Sequence, residues 1–354
     1  MKPDRLRILV TGVQGDSGQG LVKALRVSDL PMELQGCDSS DSGLGAAFVG
    51  ALHIVPPALA RTEYIARLDR ICRKFHVDAV VPSLPVEIDV LAELSDPPAL
   101  PSGVPVICLS HAYREVFDDK LRAYGFLENK VALAPYADGS LPEAVREFVD
   151  RHGFPFVVKR RNGRGGDCFQ TVRRMEDLAP ALEKTPEPVL QSFIDDADGE
   201  LTVGVFAAGD QVTSIAFRRR LGRTGSSWFA QRAEDADVLE YAEKIARASR
   251  LQGSANIQVR KSSEGVRLLE INARFSSLAP ARAFAGFRDV EWSIVQALGG
   301  RPKFPVEGYR SIRFHRFVHE MIDVGEGYVT VPQWSHWRRA RIYREPPEGV
   351  SASA

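Results

Sequence analysis

The sequence predicts a mixed α/β and α+β protein, with an N-terminal βαβ unit followed by further strands alternating with helices. Three observations carry this prediction. The chain opens with a β-rich apolar run, LRILVT (6–11), then a glycine turn and a helical pattern. Its middle holds an apolar strand, FPFVVKRR (154–161), with a lysine near its end and a glycine loop after it. Farther on, GSANIQVRKSSEGVRLLEINARF (253–275) reads as two extended segments joined by a polar turn at Glu264-Gly265. A strand–turn–helix opening starts a parallel sheet, whereas strands with one polar face belong to antiparallel pairs.

In the first unit, GVQGDSGQG joins the opening strand to the helix LVKALRVS, and ELQGCD (33–38), DAVVPS (78–83) and VPVICLS (104–110) supply further strands. The segment TEYIARLDRICRKFH (62–76) repeats Ile65, Leu68, Ile71 and Phe75 at helical spacing. A proline-rich stretch near residue 100 ends the unit at about residue 112. Gly12, Gly15, Gly18 and Gly20 evoke a dinucleotide-binding loop, with Asp38 as a candidate ribose-binding acid. Their spacing is G-x-x-G-x-x-G-x-G rather than G-x-G-x-x-G, and nothing downstream supplies a hydride-transfer site. They are read as turn and close-packing residues.

Residues 113–132 read as one helix with an acidic start, and LPEAVREFVDRHG (141–153) as a helix stopped by Gly153. The lysine strand, the loop NGRGGD (162–167), the strand CFQTV, the helix RMEDLAPALEK and the strand PVLQSFID (188–195) follow. From Gly199 to about residue 300, strands alternate with one clear helix, ADVLEYAEKIARASR; SIRFHRFVHEMIDV reads as further sheet. The last residues, PPEGVSASA, read as disordered.

Lys+Arg and Asp+Glu both number 46, so no overall basic field exists to recruit nucleic acid or an anionic membrane. The N-terminus lacks an apolar signal core, and no segment approaches the ~20 apolar residues of a membrane span. Cys37, Cys72, Cys108 and Cys168 form no C-x-x-C pair, which points to reduced thiols in a cytoplasmic protein.

The chemistry concentrates in the segment 253–275. Asn256, Gln258 and Arg260 share one face of its first strand; Glu270, Asn272 and Arg274 share one face of its second. Paired as a hairpin, they bring a carboxylate and two amide oxygens to one spot, with a guanidinium beside them. Few hard oxygen ligands suit Mg²⁺ held jointly with a polyphosphate. An ordinary amphipathic hairpin with a polar outer face fits the same residues. Lys159, inside an apolar strand, is costly unless its ammonium finds an anion, and the glycines after it let backbone N–H groups approach phosphate oxygens. A lysine stem lying along the sheet with its head in water fits the local sequence too. No G-x-x-x-x-G-K-[ST] loop occurs. In FRRRLGRTGSS (217–227), four arginines can bind a carboxylate substrate, shield a reactive phosphate or form a solvated basic face; Arg218 is the candidate there.

The run E-I-N-x-R at 270–274, preceded by N-x-Q at 256–258, resembles the metal-binding end of the ATP-grasp superfamily. The resemblance is nearest to the branch of carbamoyl-phosphate synthetase large subunits and related carboxylate–amine ligases. That branch also carries a glutamine where other members place an acidic ligand, as Gln258 does, while Ala273 stands where its E-I-N-P-R motif has proline. Asp119, Lys120 and Leu127 match the superfamily's D-K-x-x-x-y-x-f-L signature, so the resemblance extends in register along about 300 residues. It implies a Rossmann-like pre-ATP-grasp domain (1–112), then a two-lobed ATP-grasp fold: a lid subdomain (113–195) and a C-terminal subdomain with the metal site (196–345), ahead of a tail (346–354). Carried over residue by residue, Lys120 and Lys159 match nucleotide-contacting basic positions, and Gly163, Gly165 and Gly166 match the loop over the phosphates. Gln191, Ser192 and Phe193 match the adenine hinge, and Glu200 matches the ribose-contacting glutamate. Gln258, Glu270 and Asn272 are the implied metal ligands; Arg274, Lys159 and Arg218 are the implied catalytic residues.

The implied function is an ADP-forming ligase that phosphorylates a carboxylate to an acyl phosphate and joins it to an amine. It would use ATP and Mg²⁺ (or Mn²⁺) on a small amino-acid-like substrate. No covalent enzyme intermediate is required, in keeping with the lack of a Ser/His/Asp or Cys/His constellation. The alternatives are a kinase or carbamoyl-phosphate-type enzyme using the same site, a non-catalytic nucleotide-binding regulator and an NAD-dependent enzyme built on the first unit. Neither nucleic acid nor membrane is expected as a partner, and self-association is left open.

Overall fold

The computed structural model describes residues 5–162, 169–195, 199–222, 227–317, 321–323 and 328–330 of the chain. The opening run forms β1 (Leu6–Thr11), which pairs in parallel with β2 (Met32–Asp38) and β4 (Ala79–Val81); β3 (Leu52–Ile54) adds to β2. The sheet order is β3-β2-β1-β4, with helices α1 (Asp16–Leu25) and α2 (Arg61–Phe75) in the connections and α3 (Pro85–Ala92) after the last strand. The glycines of the first turn serve the fold. Gly12 has φ +60°, and a Cβ on Gly18 would lie 2.2 Å from the Gly12 carbonyl oxygen, so α1 closes directly on the turn.

The expected strand at 104–110 is reduced to isolated bridges, a parallel one between Val80 and Val106 and an antiparallel one between Ala99 and Pro105. Pro105 has no N–H to carry a ladder onward, so only its carbonyl is used, accepting from Val80. Strand β3 was not foreseen, because three residues are too few to show an alternation.

The predicted single helix at 113–132 is two: α4 (His111–Phe117) and α5 (Lys120–Leu127). The break falls where the Asp119 carboxylate accepts the Arg122 N–H at 3.1 Å and caps the second helix. Next come β5 (Tyr136–Asp138), α6 (Pro142–His152), β6 (Phe156–Arg160), β7 (Gln170–Val172), α7 (Met175–Lys184) and β8 (Pro188–Ser192). Their strands form an antiparallel sheet in the order β5-β8-β6-β7, with Phe148, Phe156, Val158, Val172 and Leu190 in its core.

A larger sheet follows, built from β9 (Leu201–Ala208), β10 (Gln211–Leu221), β11 (Ser227–Ala233), β12 (Gly253–Ser262), β13 (Gly265–Asn272) and β14 (Arg313–His315). Its order is β13-β12-β9-β10-β11-β14. Helix α8 (Ala236–Ala248) covers one face through Val238, Ala242 and Ile245. Helices α9 (Ala279–Ala285) and α10 (Asp289–Ala297) share a core with the N-terminal sheet, where Ala279, Ala283, Val290 and Ile294 pack with Ile8, Val10 and Leu21.

One compact unit spans Met1–Phe317, and Val318–Ala354 forms a second, in which β15 (Met321–Asp323) and β16 (Tyr328–Thr330) make a hairpin. The expected tail, 346–354, lies outside the described residues.

Candidate functional site

The hairpin of β12 and β13 places Gln258 opposite Glu270 and Asn256 opposite Asn272. On its other side β12 sets Gln258 against Thr202 and Asn256 against Gly204 of β9. Residues facing each other across a ladder point to the same side of a sheet, so Glu270, Gln258 and Thr202 form one row and Asn272 and Asn256 the next. The expected ligand trio Gln258, Glu270 and Asn272 therefore shares one face. A bulge leaves Leu269 without a cross-strand partner, because Gln258 pairs with Glu270 while Val259 pairs with Leu268.

Glu270 is held in a positive setting. Lys120, from the start of α5, approaches its Oε2 at 3.0 Å, and Asn272 Nδ2 donates to Oε1 at 3.0 Å. Burial raises the carboxyl pKa, but the charge of Lys120, its hydrogen bond and that of Asn272 outweigh burial and hold it below the ordinary glutamate value. Lys120, expected at the nucleotide, thus rests on the central metal-ligand candidate.

Lys159 is buried, and its ammonium donates to Tyr124 Oη (2.8 Å), Gln191 Oε1 (2.7 Å) and the Leu269 carbonyl (2.8 Å). The bulge frees that carbonyl. Burial, with the nearby charge of Lys120, lowers its pKa to about 7. Of the two readings left open by its sequence, a head in water is excluded.

Gln191 has the opposite of a solvent-facing role. Its amide is buried between Lys159 and the Leu268 carbonyl, to which its Nε2 donates at 3.0 Å. In the hinge segment the Ser192 N–H donates to Pro135 and the Phe193 N–H to Pro155.

Arg219 donates through Nε to Glu200 Oε1 at 3.1 Å. Arg218 is exposed and, by strand alternation, points to the other face of the sheet from Arg219. The arginine turned toward Glu200 is therefore Arg219. A one-residue ambiguity in a run of three arginines inverts the face, and the run carries no apolar alternation to settle it.

Arg274 reaches back to Asn272 Oδ1 at 3.3 Å and donates to the Phe275 carbonyl at 3.1 Å. Beside it, a small hollow of about 10 Å³ is lined by Ser17, Leu21, Ser83, Arg274, Phe275 and Ser276. Asp119 is gripped by Arg161, whose Nε lies 3.0 and 2.9 Å from the two carboxylate oxygens. Burial works against ionisation of Asp119, yet those bonds and the Arg122 N–H hold its pKa below the usual carboxylate value.

One residue escaped the sequence reading altogether. Arg282 of α9 is fully buried, lies against Gly204, donates to Asn256 Oδ1, and sits 3.5 Å from Asp289. Its Nε and Nη1 have no hydrogen-bond partner among the described residues. Burial lowers its pKa to about 10; Asp289 opposes the shift, and the charges of Arg219 and Arg274 add to it. A lone arginine in the alanine-rich run APARAFA was the one signal available. Gly163, Gly165, Gly166 and Cys168 lie outside the described residues.

The donors suit a hard cation that brings its own oxygen ligands. Among the described residues no group of three or more His, Cys, Asp or Glu side chains is arranged for a metal. One carboxylate and two amides cannot hold a dedicated cation alone, but they can complete the shell of a metal already bound by phosphates. Each Glu270 oxygen carries one protein contact, Lys120 at Oε2 and Asn272 Nδ2 at Oε1, which leaves lone pairs on both oxygens for a metal. No helix among the described residues is long and apolar enough to cross a membrane.

Residues 184–317 match the family described as ATP-grasp in the biosynthetic pathway with Ter operon. The chain is 28% identical over 178 residues to the carbamoyl phosphate synthase large chain of Caldanaerobacter subterraneus subsp. tengcongensis, covering 46% of this chain and 16% of that protein. It therefore spans less than a fifth of that relative's length. Among solved structures, it resembles the biotin carboxylase domain dimer of Hydrogenobacter thermophilus 2-oxoglutarate carboxylase, in complex with MgADP, ADP and bicarbonate. The TM-score is 0.69 at 15% identity, covering 86% of this chain and 72% of that one. It also resembles N5-carboxyaminoimidazole synthetase from Staphylococcus aureus complexed with ADP, with a TM-score of 0.63 at 14% identity, covering 86% and 80%.

Proposed function

We propose that this member of the ATP-grasp superfamily is an ADP-forming ligase that activates a carboxylate as its acyl phosphate and transfers it to an amine. The observation that carries the reading is the convergence of Lys120, Glu270, Asn272 and Arg274 on one edge of the large sheet. Two anions must meet there, and their repulsion is the main barrier to phosphoryl transfer.

Mg²⁺ or Mn²⁺, bound with the nucleotide and touching Glu270, Asn272 and Gln258, would neutralise the β- and γ-phosphates. Lys120, held beside Glu270, is placed to meet the phosphate charge as well. Arg219 orients Glu200 for the ribose, and Arg274, with Ser83 and Ser276 beside it, would meet the carboxylate. The carboxylate oxygen attacks the γ-phosphorus and ADP leaves. The amine nitrogen then attacks the acyl carbon, gives up a proton and expels phosphate.

A kinase or carbamoyl-phosphate-type enzyme would use the same first step and release the phosphorylated product. Pools of carboxylates and amines should be screened for ADP and phosphate release, with hydroxylamine added to trap an acyl phosphate as its hydroxamate. ADP formation dependent on a carboxylate supports the ligase reading. ATP turnover indifferent to every carboxylate and amine, or NAD(P) binding without Mg-ATP binding, would overturn it.

A further inference from the structure

Ala273 follows the last residue of β13 and is fully buried, so its N–H lies beyond the ladder and still needs an acceptor. Asp118 supplies it: its Oδ1 accepts the Ala273 N–H at 3.0 Å. The other carboxylate oxygen is 2.8 Å from Arg114, a buried arginine that also donates to Asp89 at the edge of the N-terminal unit. At the same point the Arg274 N–H donates to the Asn272 carbonyl at 2.8 Å, a three-residue turn centred on Ala273. That turn carries Arg274 back beside the Asn272 side chain.

The same stretch of chain holds β13 on the other side of Glu270. Tyr124 Oη donates to the Leu269 carbonyl, and Lys120 meets Glu270 itself. Asp118, Lys120 and Tyr124 thus engage Ala273, Glu270 and Leu269 in turn.

We propose that Asp118 is a positioning residue for the metal-facing strand: by accepting the Ala273 N–H it fixes the turn that sets Asn272 and Arg274. A proline at 273 has no N–H and cannot make this bond, so alanine at this position is a requirement of this chain rather than a neutral departure from E-I-N-P-R. The inference rests on the ligase reading for the identity of the metal–nucleotide ligand.

Ala273→Pro is the sharpest variant. Ala273 has negative φ, since it is absent from the positive-φ residues, and the residue before it is extended, so the substitution removes the hydrogen bond with little other change. The full-length chain should be titrated with Mn²⁺ in the presence of ADP, followed by electron paramagnetic resonance. Ala273→Pro and Asp118→Ala should each weaken Mn²⁺ uptake by about tenfold or more, as loss of an outer-shell partner does. The double variant should be no worse than either single one. Asp118→Asn, which keeps the accepting oxygen, should stay within about threefold of the parent.

Hydrogen–deuterium exchange of residues 269–275 without ligand should quicken in Ala273→Pro and Asp118→Ala but not in Asp118→Asn. Parental Mn²⁺ affinity in Ala273→Pro, or additive losses in the double variant, overturns the proposal. If Asp118→Ala fails to fold because Arg114 loses its partner, Ala273→Pro still decides, because it leaves the Asp118–Arg114 pair in place. If the parent takes up no Mn²⁺ with nucleotide, the ligase reading fails, and unchanged exchange in Ala273→Pro would by itself sink the positioning role.

Discussion

Lys120 Nζ lies 3.0 Å from Glu270 Oε2, with both side chains largely buried. The pair joins the start of a helix in the middle of the chain to a strand far along it, and it sits where the metal would bind.

Glu270→Gln is expected to lose about 10²-fold or more in turnover, because the variant removes the one full negative charge among the candidate ligands. It should also lower the melting temperature without ligand, since the buried Lys120 loses the Glu270 charge 3.0 Å from its ammonium. Adding Lys120→Met should recover stability and leave turnover low. Single-turnover rates and thermal melts of the three variants check this. Turnover within a few-fold of the parent at saturating Mg²⁺ would rule out Glu270 as a ligand.

Arg219→Ala should weaken Mg-ATP binding by roughly tenfold, because Glu200 loses the bond that aims it. Arg218→Ala, on the other face of β10, should stay within about twofold. Calorimetric titration of both variants distinguishes them, and the reverse order of effects would return the role to Arg218.

Lys159 supplies a pH signature. Its pKa is about 7 in the fold against 10.5 as the ordinary value, with burial the main cause. Between those two values the unfolded chain holds a proton that the folded chain has released, so Lys159 makes stability rise with pH across that window. Below about pH 7 both states are protonated, and the full cost of burying the charge persists. Lys159→Met should flatten the rise. Denaturant unfolding of parent and variant near pH 6, 7.5 and 9 measures it, and parallel curves would refute the assignment.

The position of bond cleavage is a separate expectation. With an ¹⁸O-labelled carboxylate and the right amine, ADP and phosphate should form in equal amounts, and the phosphate should carry one label. AMP with pyrophosphate, or unlabelled phosphate, would exclude the acyl-phosphate route even with the fold unchanged.

Where a feature is local, the sequence was enough. The β–turn–α opening, the lysine strand and the hairpin at 253–275 each follow from a few neighbouring residues, because period and turn chemistry are short-range properties. The alternation of N-x-Q and E-I-N sufficed to put Gln258, Glu270 and Asn272 on one face. The single helix read at 113–132 was wrong because Asp119 can be read either as an interior acid or as a cap, and only the finished α5 shows which.

Tertiary structure alone decided the contacts that give those residues their chemistry. Nothing in the order of residues pairs Lys120 with Glu270, Asp118 with the Ala273 N–H or Arg282 with Asn256. The bulge at Leu269 that supplies a carbonyl to Lys159, and the choice of Arg219 over Arg218, turn on a register shifted by one residue. Register is set by the packing of whole sheets and helices against one another, and a one-residue slip exchanges the faces of a strand without altering its sequence pattern. The same long-range packing moves the proton affinities of Lys159 and Glu270, because burial and the charge of Lys120 act only after distant segments have come together.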